Sequence, residues 1–541
     1  MPRVIVLDPL SQDGLNLLQS AGDLDVEVRT GLKADALREA LLEFDGAICR
    51  SGVKITRDVL EGNRRLKAIA RAGVGTDNID VETATRLGIV VMNTPGGNTI
   101  STAEHAITLM LALSRNVFPA YQSLLEGRWD RKQYMGTQLA GKTLGIVGLG
   151  RIGQAVASRA RALEMKVLGC DPFLAAPRAK ELGIEICSSV REMLPHVDYL
   201  TVHTPLTDET RNLIGPDQIK MLRPGARLIN CARGGIFDEQ ALVEGLKSGH
   251  LGGVALDVYQ SEPCTDSPLF GMPNVLCTPH LGASTEEAQA NVAVEAAELL
   301  IDFFTTGAIK SSVNMSPLDP KTLESLRGYL NLAWRLGLLL GQLHRNSPTG
   351  CRLRYEGEVA KRDCRLLSAA FAAGLLENAI ESGVNIVNSE VLLRERGIEL
   401  REERSTDVGD FSSMITASVD GEERTAVASG TLFGNMPRLV KKGEFRLEGR
   451  LEGILMLFTH HDVPGVIGQL GTIFGKHRVN IADMSVGRGT SEPGGAAVGV
   501  LALDSQPPAE AITEVLALEP LDRAWVVKLP PADKLPAWMG G

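Results

Sequence analysis

Through roughly residue 310 the chain alternates short, unbroken apolar runs with stretches of helical periodicity. Val4–Leu7, Gly46–Cys49, Leu66–Ala70 and Ile89–Met92 each read as a buried strand, soon followed by Gly, Asp or Asn and then a helical pattern. Continuous apolar strands separated by helices predict βαβ units and a parallel sheet covered on both faces. The turn cluster Asn93–Asn98 leads into a helix predicted over Ser101–Arg115, with Ser101 and Glu104 as a capping box. A second block starts at Lys142. Its predicted strands are Leu144–Val147, Lys166–Gly169, Tyr199–His203, Ala226–Asn230, Gly253–Leu256 and Val275–Thr278, with a helix over Glu286–Phe304.

The pattern changes at Ser316–Pro320, which reads as a linker. Beyond it, helices (Leu323–Leu343, Leu366–Glu377) mix with alternating strands (Met414–Val419, Thr425–Leu432). A last module begins at Arg450: a strand over Leu451–Thr459, a helix over Val466–Lys476, a strand near Val479–Arg488, then strands at Ala496–Asp504 and Ala524–Lys528. This order predicts a small α+β sandwich. The expected domains are 1–97 with 284–313, 98–283, 314–449 and 450–541. At 541 residues the chain is long enough for roughly three to four domains of about 150 residues.

Composition narrows the picture. A hydrophobic fraction of 44% with 23% charged residues excludes disorder over most of the chain. A net charge of −10 makes nucleic acid and anionic membranes poor partners, while a local cluster of Arg can still hold an anionic substrate. The eight cysteines form no CxxC pair, so no metal site is expected, and reduced thiols in a cytoplasmic setting are. The apolar run at the N-terminus ends at Asp8 and is too short for a signal peptide, and no segment reads as a membrane span.

Gly148-Leu149-Gly150-Arg151-Ile152-Gly153 is GxGxxG between a predicted strand and a predicted helix. Gly148 permits the tight turn, Gly150 lets backbone approach a pyrophosphate, and Gly153 lets the helix pack on the strand. The phosphates would meet the N–H groups and positive end of the helix. Asp171 ends the next strand, where a carboxylate accepts ribose hydroxyls and repels a 2′-phosphate, favouring NAD over NADP. Three further segments carry polar residues just past predicted strands: Asn230–Gly235, Asp257–Pro263 and Thr278–Ser284. They deliver an Arg, a Glu and a His to the carboxyl ends of the sheet. The His can exchange a proton with a hydroxyl or carbonyl, the Glu can orient and charge it, and the Arg can clamp a carboxylate. Each alone could be a structural turn. His105 and His344 fall within helical patterns and read as packing residues.

On these words, together with Val202-His203-Thr204-Pro205-Leu206 and Ala255-Leu256-Asp257-Val258, nearly the whole chain resembles the D-isomer-specific 2-hydroxyacid dehydrogenase family, in its long form that oxidises 3-phospho-D-glycerate in serine synthesis. The resemblance implies two Rossmann or flavodoxin-like α/β domains, an α+β intervening domain and a C-terminal ferredoxin-like ACT domain. It implies catalytic roles for Arg233, Glu262 and His280, the last two a proton relay that related formate dehydrogenases, with Gln in place of Glu262, do without. It implies NAD contacts at Gly148, Gly150, Arg151, Ile152, Gly153, Asp171, Thr204, Cys231, Ala232, Asp257 and Ala283. Contacts to a phosphorylated 2-hydroxy acid fall to Arg50, Ser51 and Asn98, and to Arg131 reaching in from a neighbouring subunit of a dimer or tetramer. His460, Asp462 and Asn480 correspond to the L-serine site of regulated relatives. Asp462 departs from the usual Asn, and an ACT module used only for assembly is the alternative. Two other readings stay open: a glycerate or glyoxylate reductase, and an NAD-binding regulator without turnover.

Overall fold

The computed structural model describes residues 1–541 other than 175, 316, 317, 345–347, 378, 381–383, 408, 422–424, 490–493, 533, 537 and 539–541. The first two residues of the expected linker thus lie outside the described residues. The chain divides into two compact units, one of Met1–Pro9, Asn16–Asn93 and Ala296–Gly541, the other of Leu10–Leu15 and Thr94–Glu295.

The first unit holds three sheets. β1 (Arg3–Val6), β2 (Asp25–Val28), β3 (Gly46–Cys49), β4 (Ala68–Arg71) and β5 (Val90–Asn93) form a parallel sheet in the order β2-β1-β3-β4-β5. The apolar runs of β1, β3, β4 and β5 are those read from the sequence. β2 was not expected, because its alternating Asp25-Val26-Glu27-Val28 lies at the sheet edge and is only partly buried.

In the second unit, β6 (Thr143–Val147), β7 (Lys166–Cys170), β8 (Glu185–Ile186), β9 (Tyr199–Val202), β10 (Ala226–Asn230), β11 (Leu251–Leu256) and β12 (Val275–Cys277) form a parallel sheet in the order β12-β11-β10-β9-β6-β7-β8. Strand order reverses between β6 and β9, the switch point at which doubly wound folds bind nucleotides. Val147, Leu200, Val202, Leu228 and Leu256 pack on one face, and Leu144, Ile146, Ile229 and Ala255 on the other. Two covered faces explain why these strands are continuously apolar rather than alternating.

The expected helix after Asn98 runs over Thr99–Ser114. It has no side-chain cap. Ser101 does not form the expected capping box, since its Oγ donates to the carbonyl of Gly282 at 2.7 Å.

Beyond residue 320 the first unit continues with a helix, Pro320–Leu343, started by the Asp319 side chain. A six-stranded sheet follows, with β13 (Gly350–Gly357), β14 (Glu399–Ser405), β15 (Ser413–Asp420), β16 (Thr425–Phe433), β17 (Met436–Lys442) and β18 (Phe445–Arg450) in the order β14-β13-β15-β16-β17-β18. Then β19 (Gly453–His461), β20 (Ile481–Arg488), β21 (Ala496–Leu503) and β22 (Leu521–Leu529) make an antiparallel sheet, β20-β21-β19-β22. Its helices are Val466–Lys476, as expected, and Ala509–Leu516, which sequence reading passed over. Arg335, fully buried, donates to the carbonyls of Leu451, Pro530 and Pro531 and to Asn331 Oδ1 at 2.7–2.8 Å. No helix among the described residues is long and apolar enough to cross a membrane.

Candidate active site

The glycine-rich turn leaves β6 at the switch point. Gly148 has φ +88°, and a side chain there would meet the carbonyl of His203, just past β9, at 2.6 Å. A side chain on Gly153 would meet the carbonyl of Gly148 at 2.1 Å, so the Arg151–Ala162 helix sits directly on the turn. Gly150 differs: nothing lies within 4 Å of the position its Cβ would take. Asp171, past β7, accepts the N–H of Leu149 at 2.6 Å and that of Phe173 at 2.7 Å. Its carboxylate thereby tethers the turn to the neighbouring strand end and keeps lone pairs for hydroxyl donors. Across the switch point, buried Thr204 Oγ1 and His203 Nδ1 have no hydrogen-bond partner among the described residues. Burial pushes the His203 imidazole down to about 4, so it is neutral near pH 7. A helix N-terminus, an open glycine, a carboxylate at the next strand and orphaned polar atoms opposite fit a dinucleotide.

The second cluster starts at β10. Asn230 Oδ1 accepts the N–H of Ala232 at 2.9 Å, and Asn230 Nδ2 donates to the carbonyl of Arg233 at 2.8 Å, which fixes the turn carrying Arg233. Arg233 Nη1 donates to the carbonyl of Ala232 at 2.6 Å. A side chain on Gly234 would meet the Tyr259 carbonyl at 1.8 Å, so this loop lies directly against the segment after β11. Tyr259 joins the remaining pieces: its N–H donates to Glu262 Oε1 at 3.0 Å and its hydroxyl to the Thr278 carbonyl at 2.9 Å.

Glu262 Oε2 meets His280 Nδ1 at 2.7 Å. The Glu262 hydrogen bond, working against burial, raises the imidazole above its ordinary value, while the nearby Arg233 guanidinium opposes the rise. Burial pushes Glu262 up, yet the bonds from His280 and from the Tyr259 N–H leave it below the usual carboxylate range. The His280 side chain remains 50% exposed. With Nδ1 engaged, Nε2 is the nitrogen free to exchange a proton. His280 has φ +55°, a left-handed conformation unusual outside glycine.

Asp257, fully buried, holds that conformation. It accepts Thr278 Oγ1 at 2.6 Å, the Leu281 N–H at 2.7 Å and the Gly282 N–H at 2.8 Å. Burial pushes Asp257 up, and the bonds from His105, Thr278 and Leu281 more than reverse it, so it stays a carboxylate. Among the described residues, His105, Cys231 and Asp257 place donor atoms within 4.8 Å of one another. Burial holds the Cys231 thiol far above its ordinary value, so it stays protonated and a poor metal ligand.

The other expected residues are distributed as follows. Ile152 and Ala232 are partly buried, Arg151 is exposed, and the Ala283 carbonyl accepts Gln289 Nε2. Arg50 follows β3. Its N–H donates to Asp8 at 2.6 Å, its carbonyl accepts Asn78 Nδ2 at 2.7 Å, and Ser51 beside it is exposed. Asn98 heads the Thr99–Ser114 helix, its buried Oδ1 without a partner among the described residues. Arg131 is exposed next to Trp129, which is 77% exposed. The three ACT positions are not brought together in one chain. Asp462 pairs with Arg488, the last residue of β20, at 2.7 Å, whereas Asn480 precedes β20 and donates to Asp504. An eight-residue strand, roughly 26 Å long at about 3.3 Å per residue, separates them. His460 lies buried near Asp462's end of the sheet, with Nδ1 on the His461 carbonyl and Nε2 without a partner among the described residues.

Two residues that hold this cluster together escaped sequence reading. His105 belongs to the site rather than only to helix packing, and Tyr259, within Asp257–Pro263, carries no role that residue type announces. His105 acts through Thr278, 173 positions away, and Tyr259 through a backbone N–H and a backbone carbonyl, so neither periodicity nor residue type signals them.

Comparison with known proteins matches three family descriptions: the NAD-binding domain of D-isomer specific 2-hydroxyacid dehydrogenases over residues 107–282, the D-3-phosphoglycerate dehydrogenase intervening domain over 325–442, and the ACT domain over 454–520. The D-3-phosphoglycerate dehydrogenase of Methanocaldococcus jannaschii is 40% identical over 98% of this chain and 100% of its own. That of Synechocystis is also 40% identical, over 98% and 95%. The solved NAD+-bound 3-phosphoglycerate dehydrogenase of Entamoeba histolytica matches 58% of this chain and 99% of its own, at 31% identity and a TM-score of 0.50.

Proposed function

The chain belongs to the D-isomer-specific 2-hydroxyacid dehydrogenase family, and we propose that it oxidises 3-phospho-D-glycerate to 3-phosphohydroxypyruvate with NAD, the entry step of serine synthesis. The observation that carries the proton chemistry is the 2.7 Å contact between His280 Nδ1 and Glu262 Oε2. NAD, when bound, supplies the acceptor for the hydride that leaves C2. The chain does the rest. His280 Nε2 takes the hydroxyl proton, Glu262 balances the resulting imidazolium, and Arg233 binds the substrate carboxylate. Gly150 and the N-terminal N–H groups of its helix receive the pyrophosphate, and Asp171 accepts the ribose hydroxyls. Thr204, Cys231, Ala232, Asp257 and Ala283 line the approach to the nicotinamide end.

Arg50, Ser51, Asn98 and Arg131 are assigned to the substrate. The full-length relatives carry D-3-phosphoglycerate dehydrogenase as their name, and a phosphate requires such additional donors. Arg131 would serve a second copy. The exposed apolar side chains of Phe118, Tyr121, Leu125 and Trp129 beside it are the kind of patch a homo-oligomer covers. L-Serine is assigned to His460, Asp462 and Asn480. Because one chain holds these at opposite ends of β20, the site takes Asn480 from a second ACT module. The eight cysteines are all free thiols, which suits a reducing cytoplasm.

The test is NADH formation from NAD and 3-phosphoglycerate, with D-glycerate and D-lactate as comparison substrates, with and without L-serine. Selective turnover of 3-phosphoglycerate, abolished in His280→Ala with NADH binding kept, is expected. Equal turnover of D-glycerate would sink the phosphate assignment, and near-wild-type turnover in His280→Ala the proton assignment.

A further inference from the structure

The catalytic imidazole is carried by a strained turn, and a strained turn persists only where its surroundings over-determine it. Asp257 supplies one half of that support, gripping Thr278 before His280 and the N–H groups of Leu281 and Gly282 after it. The other half comes from the Thr99–Ser114 helix. Ser101 and Thr102 donate to the Gly282 carbonyl at 2.7 and 3.2 Å. One turn later, His105 Nε2 lies 3.1 Å from Thr278 Oγ1 and 3.2 Å from Asp257 Oδ1. Positions 101, 102 and 105 share a helix face, so one face of one helix holds the catalytic turn on both sides of His280.

The direction of these hydrogen bonds is set by what each group offers. The carboxylate of Asp257 accepts only, so Thr278 donates its hydroxyl proton to Asp257 and accepts on its remaining lone pairs. His105 therefore faces two acceptors with Nε2, which selects the Nε2–H tautomer. A buried carboxylate needs such donors, since each one missing leaves part of its charge uncompensated.

We propose that His105 is a positioning residue of the reaction: its Nε2–H pins Thr278 and Asp257 and, through them, fixes the left-handed turn that presents His280 to Glu262 and the substrate. This rests on His280 being the proton acceptor. His280 is faced by Glu262, Asp257 and Arg233, and His105 by Asp257 and Cys231. No other basic group is needed to explain the expected pH behaviour. Loosening the turn lets the imidazole drift from Glu262, so it loses the contact that raises its pKa and its alignment with the reacting hydroxyl.

The experiment compares wild type, His105→Phe, His105→Gln and His280→Asn in the oxidation of 3-phosphoglycerate from about pH 6 to 9, with NADH binding as the check on folding. His105→Phe keeps the bulk and removes the donor. It is expected to lower kcat by about tenfold or more and to move the acid limb of the profile to lower pH. His105→Gln, which restores an N–H at similar reach, is expected to recover most of both. If His105→Phe does not bind NADH, His105→Asn takes its place, its amide too short to span the gap. A variant that lacks the donor and binds NADH, yet keeps wild-type kcat or an unmoved acid limb, overturns the proposal. So does equal loss in the Phe and Gln variants, which would make His105 a packing residue. His280→Asn separates the two levels: if it retains turnover, the assignment of His280 itself has failed.

Discussion

At the scale of single residues, the site is a set of charges whose signs are set by neighbours. His280 is raised by Glu262 and opposed by Arg233. With His280 as the proposed proton acceptor, oxidation needs the neutral imidazole, so its rate is expected to rise with pH through a midpoint above the ordinary histidine value. Glu262→Gln removes the raising contact. The acid limb of kcat/KM for oxidation should move down towards about 6.5, and kcat should fall by about tenfold to a hundredfold. The reverse reaction needs the imidazolium, so its falling limb should move down as well. A profile unchanged by the substitution would mean that Glu262 does not set the charge of His280. The sequence made Arg233, Glu262 and His280 legible because they follow strand ends, where an open parallel sheet gathers its chemistry. It concealed His105, whose partners are 152 to 173 positions away and which sits inside an ordinary helical pattern.

At the scale of elements, the nucleotide turn shows how three glycines answer three different constraints. Gly148 and Gly153 are enclosed by the chain's own backbone, and Gly150 faces open space. Gly150→Ala should therefore fold and melt like wild type while binding NADH about tenfold or more weakly. Fluorescence titration checks this, and unchanged affinity would show that the dinucleotide does not lie against Gly150. The elements easiest to read were those buried on both faces. Among the strands the pattern does not reveal, β14, with Glu399-Leu400-Arg401-Glu402-Glu403-Arg404-Ser405, carries dense charge at a sheet edge. There hydrogen bonding to one neighbour, rather than an apolar pattern, defines the strand.

At the scale of the whole molecule, Arg335 bears on how the ACT module is attached. Its guanidinium is completely buried and serves carbonyls on both sides of the module's sheet, Leu451 before β19 and Pro530 and Pro531 after β22. Arg335→Met fills much of the space but leaves these acceptors unpaired. It should destabilise that region by about 2–4 kcal/mol. Calorimetry should show a lower or separate transition with NADH binding intact, and an unshifted melting profile would mean that other contacts carry the attachment. No composition or periodicity argument could have found this residue, because an Arg in an apolar helix reads only as an exception to the pattern.

The convergence on Arg335 also has a meaning in chain topology. β19 and β22 are neighbours with Gly453 opposite Leu529, so the module begins and ends at almost the same point in space. It is nearly a closed ring cut at one place. The order of its elements along the chain is then a choice that the fold does not enforce. The same sandwich could be rewired with Leu529 joined to Gly453 through a short link and new ends opened in the exposed stretch Asp504–Gln506.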